Sequence, residues 1–175
     1  IIDIGAESTR PYGDATPISR DEEIARLRPV LSAVVKLGTP VSIDTMKADV
    51  AQWAFDQGAA MANDVWGLQR DPAMADIVSE NDMPVVIMHN REAADPAINI
   101  MADMAAFFER SLAIAKRAGI ARDRIVLGGR TGLGREARDV LGFVTDPLEF
   151  ERDACDGSRG AQVAGHRLLQ GDERQ

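Results

Sequence analysis

Several things are scarce in this chain of 175 residues, and each scarcity narrows what it can be. A single cysteine, Cys155, rules out a disulfide within the chain and suits a reducing compartment, so a cytoplasmic location is the expectation. No apolar run approaches the ~20 residues of a membrane-spanning helix. Positive charge is outweighed, with 20 Lys and Arg against 28 Asp and Glu, a net charge of −8. Such a balance argues against nonspecific nucleic-acid binding. Histidine is limited to His89 and His166, and the spacing of Asp64, Asp95 and Asp103 does not make a metal site from protein ligands alone. The Gly-rich stretch Gly128 to Arg135 lacks the Gly-Lys-Ser/Thr of a phosphate loop. It also lacks the strand, Gly-x-Gly-x-x-Gly and helix register of a dinucleotide site, and reads as a turn. No signal peptide is visible. The chain starts without methionine and inside an apolar strand, which is how an internal fragment or truncated product reads.

What is present alternates between strand and helix. Ile1 to Gly5 form an apolar run that opens into the polar segment Ala6-Glu7-Ser8-Thr9-Arg10-Pro11, a strand followed by anion-binding chemistry. Residues 20 to 37 carry Ile24, Leu27, Leu31, Val34 and Val35 at helical spacing, with Ser19 as N-cap and Glu22 completing a capping box. Val41 to Asp44 read as a strand, residues 47 to 57 as a helix, Met61 to Val65 as a strand, and Pro72 to Glu80 as a helix. Pro84 to Met88 read as a buried strand ending at His89. The longest helix spans 101 to 118, with Met104, Ala105, Phe108, Leu112 and Ala115 on one face and Gly119 as its stop; Ile125 to Leu127 is the last clear strand.

Five strands separated by helices imply a parallel sheet, because parallel neighbours need a crossover connection. A (β/α)8 barrel collects its chemistry at the C-terminal ends of the strands, and here those ends hold Glu7 to Arg10, Asp44, Asn63 with Asp64, and Met88 with His89. A doubly wound sheet would gather ligands at one switch point instead. The expected architecture is therefore α/β: an incomplete TIM barrel of about five parallel strands. At 175 residues the chain falls short of the ~250 that a whole barrel usually needs.

The segments Ile2-Asp3-Ile4-Gly5-Ala6-Glu7-Ser8-Thr9-Arg10-Pro11, Val41-Ser42-Ile43-Asp44-Thr45, Asn63-Asp64-Val65 and Val86-Ile87-Met88-His89 resemble, in order and spacing, the dihydropteroate synthase family of bacterial folate synthesis. The resemblance covers residues 1 to about 127. It implies a transferase that condenses a hydroxymethyl-dihydropterin pyrophosphate with p-aminobenzoate, releasing pyrophosphate, with Mg2+ arriving on the substrate pyrophosphate. It further implies that Asp44 and Asn63 bind the pterin and that Met88 gives it soft apolar contact. Thr9 and Arg10 would hold p-aminobenzoate and pyrophosphate, Arg10 stabilising the charge on the leaving group. Plainer roles stay open: Asp44 as a helix N-cap, Asn63 bonded to backbone, Met88 in the core. His89 reads as structural. The parent could be a homodimer. Two other readings remain: a non-catalytic pterin-binding remnant, or the related pterin-binding methyltransferase barrel, which Ser8-Thr9-Arg10-Pro11 disfavours.

Departures from the family pattern begin after Leu127. Gly128-Gly129-Arg130-Thr131-Gly132-Leu133-Gly134-Arg135 stands where the family has an Asp-Pro-Gly turn and a Gly-Phe-Gly-Lys type loop, so a further pterin carboxylate is missing. The Ser-Arg-Lys segment and the late Arg-x-His motif are not found, nor is the family's first strand with its asparagine. Residues 128 to 175 hold nine of the 15 glycines and seven arginines, while all three lysines (Lys36, Lys47, Lys116) precede them. This divides the chain into a partial pterin-binding barrel, 1 to 127, and a divergent or frame-altered tail, 128 to 175, expected to be poorly ordered. The fragment itself is expected to be inactive.

Overall fold

The computed structural model describes residues 1–8, 16–92, 95 and 97–129. Thr9, Arg10 and residues 130–175 lie outside the described residues. Five strands, β1 (Ile2–Gly5), β2 (Val41–Asp44), β3 (Met61–Asp64), β4 (Val85–His89) and β5 (Ile125–Gly129), form one sheet in the order β1-β2-β3-β4-β5. All neighbours are parallel. Among the described strands the order follows the sequence without reversal, so they contain no switch point of the doubly wound kind. The sheet is an arc of a (β/α)8 barrel: α/β, five strands, incomplete.

The crossovers are α1 (Arg20–Val34), α2 (Ala48–Asp56), α3 (Met74–Glu80) and α4 (Ile100–Ala118). Ser19 caps α1, its Oγ accepting from the Glu22 amide at 3.2 Å. The other half of the expected capping box is not made. Glu22 turns its carboxylate to Arg26 one turn on, and Arg26 in turn donates to the Ala6 carbonyl after β1 at 3.2 Å. Beyond Val34 the helix tightens into a 3-10 turn, Val35–Leu37, and stops at Gly38 with φ 73°. In α4 the buried stripe is Met104, Phe107, Phe108, Ser111 and Ala115. The expected Ala105 and Leu112 are only half-buried, because Phe107 and Ser111 pack against the backbone of Gly67. Strand β5 continues to Gly129, two residues past the expected break at Leu127, since Met88 and His89 pair with Gly128 and Gly129.

Strand alternation sorts the sheet into two faces. Ile43, Ala62, Val85 and Ile87 are fully buried beneath the helices, with Leu27, Leu31, Val50, Met74 and Val78 from α1, α2 and α3. The alternate residues Asp3, Gly5, Asp44, Asn63, Val86, Met88, Val126 and Gly128 occupy the opposite, inner face, and none belongs to this core cluster.

Candidate functional site

Register pairing places Gly5, Asp44, Asn63, Val86 and Val126 at one level of the inner face, which is the C-terminal end of β1, β2 and β3 but the start of β4 and β5. Asp44 and Asn63 are thus direct cross-strand neighbours. Met88 stands two residues further along β4 on the same face, half-buried. A Cβ at Gly5 would come within 3.1 Å of the Asp44 Cβ, so the bare glycine leaves the Asp44 side chain its place.

The plainer roles held open for these residues are not the ones observed. Helix α2 takes Lys47 as its N-cap, and its first amide, Ala48 N–H, is satisfied by Asp71 Oδ2 at 2.8 Å, not by Asp44. The Asn63 amide donates through Nδ2 to the Asp3 carboxylate at 3.0 Å rather than to backbone. With Nδ2 committed, Asn63 Oδ1 becomes the atom offered to a ligand. It is buried and has no hydrogen-bond partner among the described residues. Asp44 Oδ1 is buried as well. A pair of oxygen acceptors at the end of an otherwise apolar strip suits a flat heterocycle with amino and ring N–H donors. Met88 lies outside the core cluster. Asp3 escaped the sequence reading, although the alternation of Ile2-Asp3-Ile4-Gly5 puts it on the same face as Asp44.

Asp64 and His89, also at strand ends, point the other way. Asp64 is 1 % exposed and its carboxylate accepts from the amides of Trp66 at 2.8 Å and Leu68 at 2.7 Å, closing the loop after β3. Burial pushes its pKa up to about 6, against the pull of the amides of Trp66, Leu68 and Gly67. His89 Nε2 lies 2.8 Å from Asp103 Oδ2, and its ring meets Phe107 edge-on at 5.1 Å. It ties β4 to the first turn of α4, the structural role expected of it.

A buried ionic network, also missed from sequence, supports the ends of β1 and β2. The Lys47 ammonium contacts Glu7 and, at 2.6 Å, Glu23 Oε2, while Thr45 Oγ1 donates to Glu23 Oε1 at 2.8 Å. Glu23 is fully buried. Burial alone would lower the pKa of Lys47, but the hydrogen bonds and charges of Glu23 and Glu7 outweigh it and raise the value above 10.5. Glu7 Oε1 also accepts from the Ile18 amide at 3.3 Å, so one side chain holds the chain before residue 9 and after residue 15. Partners 24 and 40 residues from Lys47 leave no periodic trace in the sequence.

Comparison with known proteins places this arrangement. The model of the family described as pterin binding enzyme matches residues 1–151, past the Leu127 where the resemblance was expected to end. Dihydropteroate synthase of Bacillus subtilis is 41% identical over 151 residues, covering 86% of this chain and 52% of that protein. That of Clostridium beijerinckii is 39% identical over 136 residues, covering 77% of this chain and 49% of that protein. The chain spans about half the length of the curated relatives it matches. Among solved structures, dihydropteroate synthase from Clostridium difficile in the presence of pteroic acid superposes with a TM-score of 0.69 at 40% identity, over 77% of this chain and 51% of that one. The Xanthomonas albilineans synthase with 4-aminobenzoic acid gives 0.69 at 36% identity, over 75% and 48%.

Proposed function

The chain belongs to the pterin binding enzyme family, and from that premise we propose that it is the pterin-binding part of a dihydropteroate synthase. Its substrates would be a hydroxymethyl-dihydropterin pyrophosphate and p-aminobenzoate. The observation that carries this reading is the side-by-side placement of Asp44 and Asn63, with Asn63 Oδ1 buried, unbonded among the described residues and set by the Asp3 contact as an acceptor. Asp44 and Asn63 orient the pterin, and Met88 lies against the ring plane. Thr9 and Arg10, carried by the segment whose two ends Glu7 holds, take p-aminobenzoate and the departing pyrophosphate. The reaction moves the pterin methylene from a pyrophosphate oxygen to the p-aminobenzoate nitrogen, and Arg10 offsets the charge left on pyrophosphate. When Mg2+ is bound it neutralises part of that charge. Among the described residues no three His, Cys, Asp or Glu gather as a metal cage, and the ion would arrive with the substrate pyrophosphate. A homodimeric, cytoplasmic parent fits this reading.

Calorimetric titration of the chain with the bare hydroxymethylpterin tests it. Asp44→Asn sets an amide where a pterin N–H needs a carboxylate, and a charged hydrogen bond worth ~1.5–3 kcal/mol corresponds to at least a tenfold loss of affinity. Arg10→Ala leaves bare pterin binding almost unchanged while lowering turnover in a complete barrel carrying these residues. Equal pterin losses in both variants, or a loss only in Arg10→Ala, would show the two subsites to be wrongly assigned.

A further inference from the structure

We propose that the outer side of the barrel rim carries a second small-molecule site, for a phosphate monoester, separate from the inner-face pair Asp44 and Asn63. Its frame is a cleft of about 550 Å³ between the loop after β3, the residues after β4 and helix α4. The cleft is open to solvent, and its volume is enough to seat part of a small metabolite.

Two arginines make the cleft selective for an oxyanion. The Arg70 guanidinium carbon lies 4.8 Å from the centre of the Trp66 ring and that of Arg110 5.9 Å from Phe107, so each cation is placed over an aromatic side chain. Neither forms an ion pair among the described residues. Their positions are built rather than incidental. Gln69 donates through Nε2 to the Phe107 carbonyl at 3.1 Å and to the buried Ser111 Oγ at 2.8 Å, which turns its Oε1 to accept from Arg110 Nε at 3.2 Å. The loop bearing Gln69 and Arg70 is itself held by Asp64, and the left-handed Gly67 seats it against α4. A Cβ on Gly67 would meet Phe107 Cε1 at 2.6 Å and Ser111 Oγ at 2.8 Å.

Charge favours an anion. The lining includes Arg70, Arg91 and Arg110 against Glu92 and Asp103, a positive balance on a chain of net charge −8. Asp103 is already shared between His89 at 2.8 Å and Arg91 Nε at 3.5 Å. That leaves Arg70 and the terminal N–H groups of Arg110, whose Nε is held by Gln69, without an ion-pair partner among the described residues. A carboxylate, with two oxygens, is satisfied by one fork. A phosphate monoester offers three terminal oxygens and can occupy both.

The test uses the whole chain with Trp53→Phe, which leaves Trp66 as its one tryptophan. Calorimetric titration with phenyl phosphate and with inorganic phosphate is expected to show saturable, salt-weakened binding, accompanied by a change in Trp66 fluorescence. Arg70→Gln and Arg110→Gln, both exposed, each reduce affinity about tenfold or more. Gln69→Leu keeps both charges but frees Arg110, and reduces affinity severalfold. Asp44→Asn leaves phosphate-ester binding at this cleft unchanged, so failure here and failure of the pterin reading are told apart. Absence of saturable binding, insensitivity to both arginine variants, loss in Asp44→Asn, or benzoate binding as tightly as phenyl phosphate would each overturn the proposal.

Discussion

On the helix-covered face of the sheet, Ile43, Ala62, Val85 and Ile87 expose none of their surface, while the alternate residues of the same strands on the inner face include Asp3, Asp44, Asn63 and Met88. One face removes apolar area from water. The other spends strand positions on groups that contribute nothing to a core and expose Asp3. The contrast teaches that the two-residue period of the strands separates core-forming positions from positions left to other uses, between residues adjacent in sequence. Where charge does enter the covered side it is fully engaged: Glu23 with Lys47 and Thr45, Asp64 with loop amides.

Removing that engagement should have the largest effect. Lys47→Met leaves the buried carboxylate of Glu23 and its neighbour Glu7 facing each other without a cation. Breaking a buried pair by deleting one partner costs about 3–5 kcal/mol. A fall in urea midpoint at unchanged m-value is the expected result. A variant as stable as the parent would mean that the network is solvated and that the covered face tolerates charge freely. Because the Lys47 pKa is raised, its contribution is fully present below 10.5 and is lost as pH rises through the higher folded value.

Next comes the direct contrast between faces. Ile43→Ala empties a fully buried site and should cost about 2–5 kcal/mol. Met88→Ala, on the inner face outside the core cluster, should cost under about 1 kcal/mol while weakening pterin binding. Equal losses of stability would erase the distinction between the faces.

Asp64 sharpens it from the side of pH. Its folded pKa of about 6 lies above the ordinary 3.8, so the folded state holds the proton more tightly. Stability from this group is therefore present below 3.8 and declines as pH rises through about 6, by on the order of 3 kcal/mol. Thermal unfolding of the chain and of Asp64→Asn, followed from pH 4 to 7, should show the difference between them moving against the parent as pH rises. A constant difference would mean the carboxylate is not desolvated.

Much of this was legible beforehand because it depends on local pattern. Short apolar runs bounded by turn residues marked all five strands, periodic or capped stretches the four helices between them, and the strand ends the polar residues Asp44 and Asn63. What was not legible depends on distant partners. Phe107 and Ser111 are buried in place of Ala105 and Leu112 because Gly67 presents bare backbone to them. The ion pairs of Lys47 with Glu7 and Glu23 span 40 and 24 residues, so no local pattern announces them. Gln69, Arg70 and Arg110 come from two elements that only the fold brings together. Gly128 and Gly129 look like the start of a turn, yet the β4 ladder extends them as strand.

The smallest effect on stability, and the sharpest division of labour, is expected at Asp3. Its carboxylate accepts one hydrogen bond, from Asn63 Nδ2, at an exposed position. Losing an exposed bond of this kind should change stability by under about 1 kcal/mol, since water replaces the partner. The consequence for the ligand is different. Without Asp3 the Asn63 amide is free to rotate, and the site no longer holds Oδ1 as the inward acceptor. Asp3→Ala should therefore reduce pterin affinity severalfold in calorimetry while the thermal midpoint stays close to that of the parent. Asp3→Asn, whose amide oxygen can still accept from Nδ2, should recover most of the affinity. A midpoint lowered as far as that of Ile43→Ala would show the inner face to be structural after all, and unchanged affinity in Asp3→Ala would show that Asn63 needs no partner to be held in place.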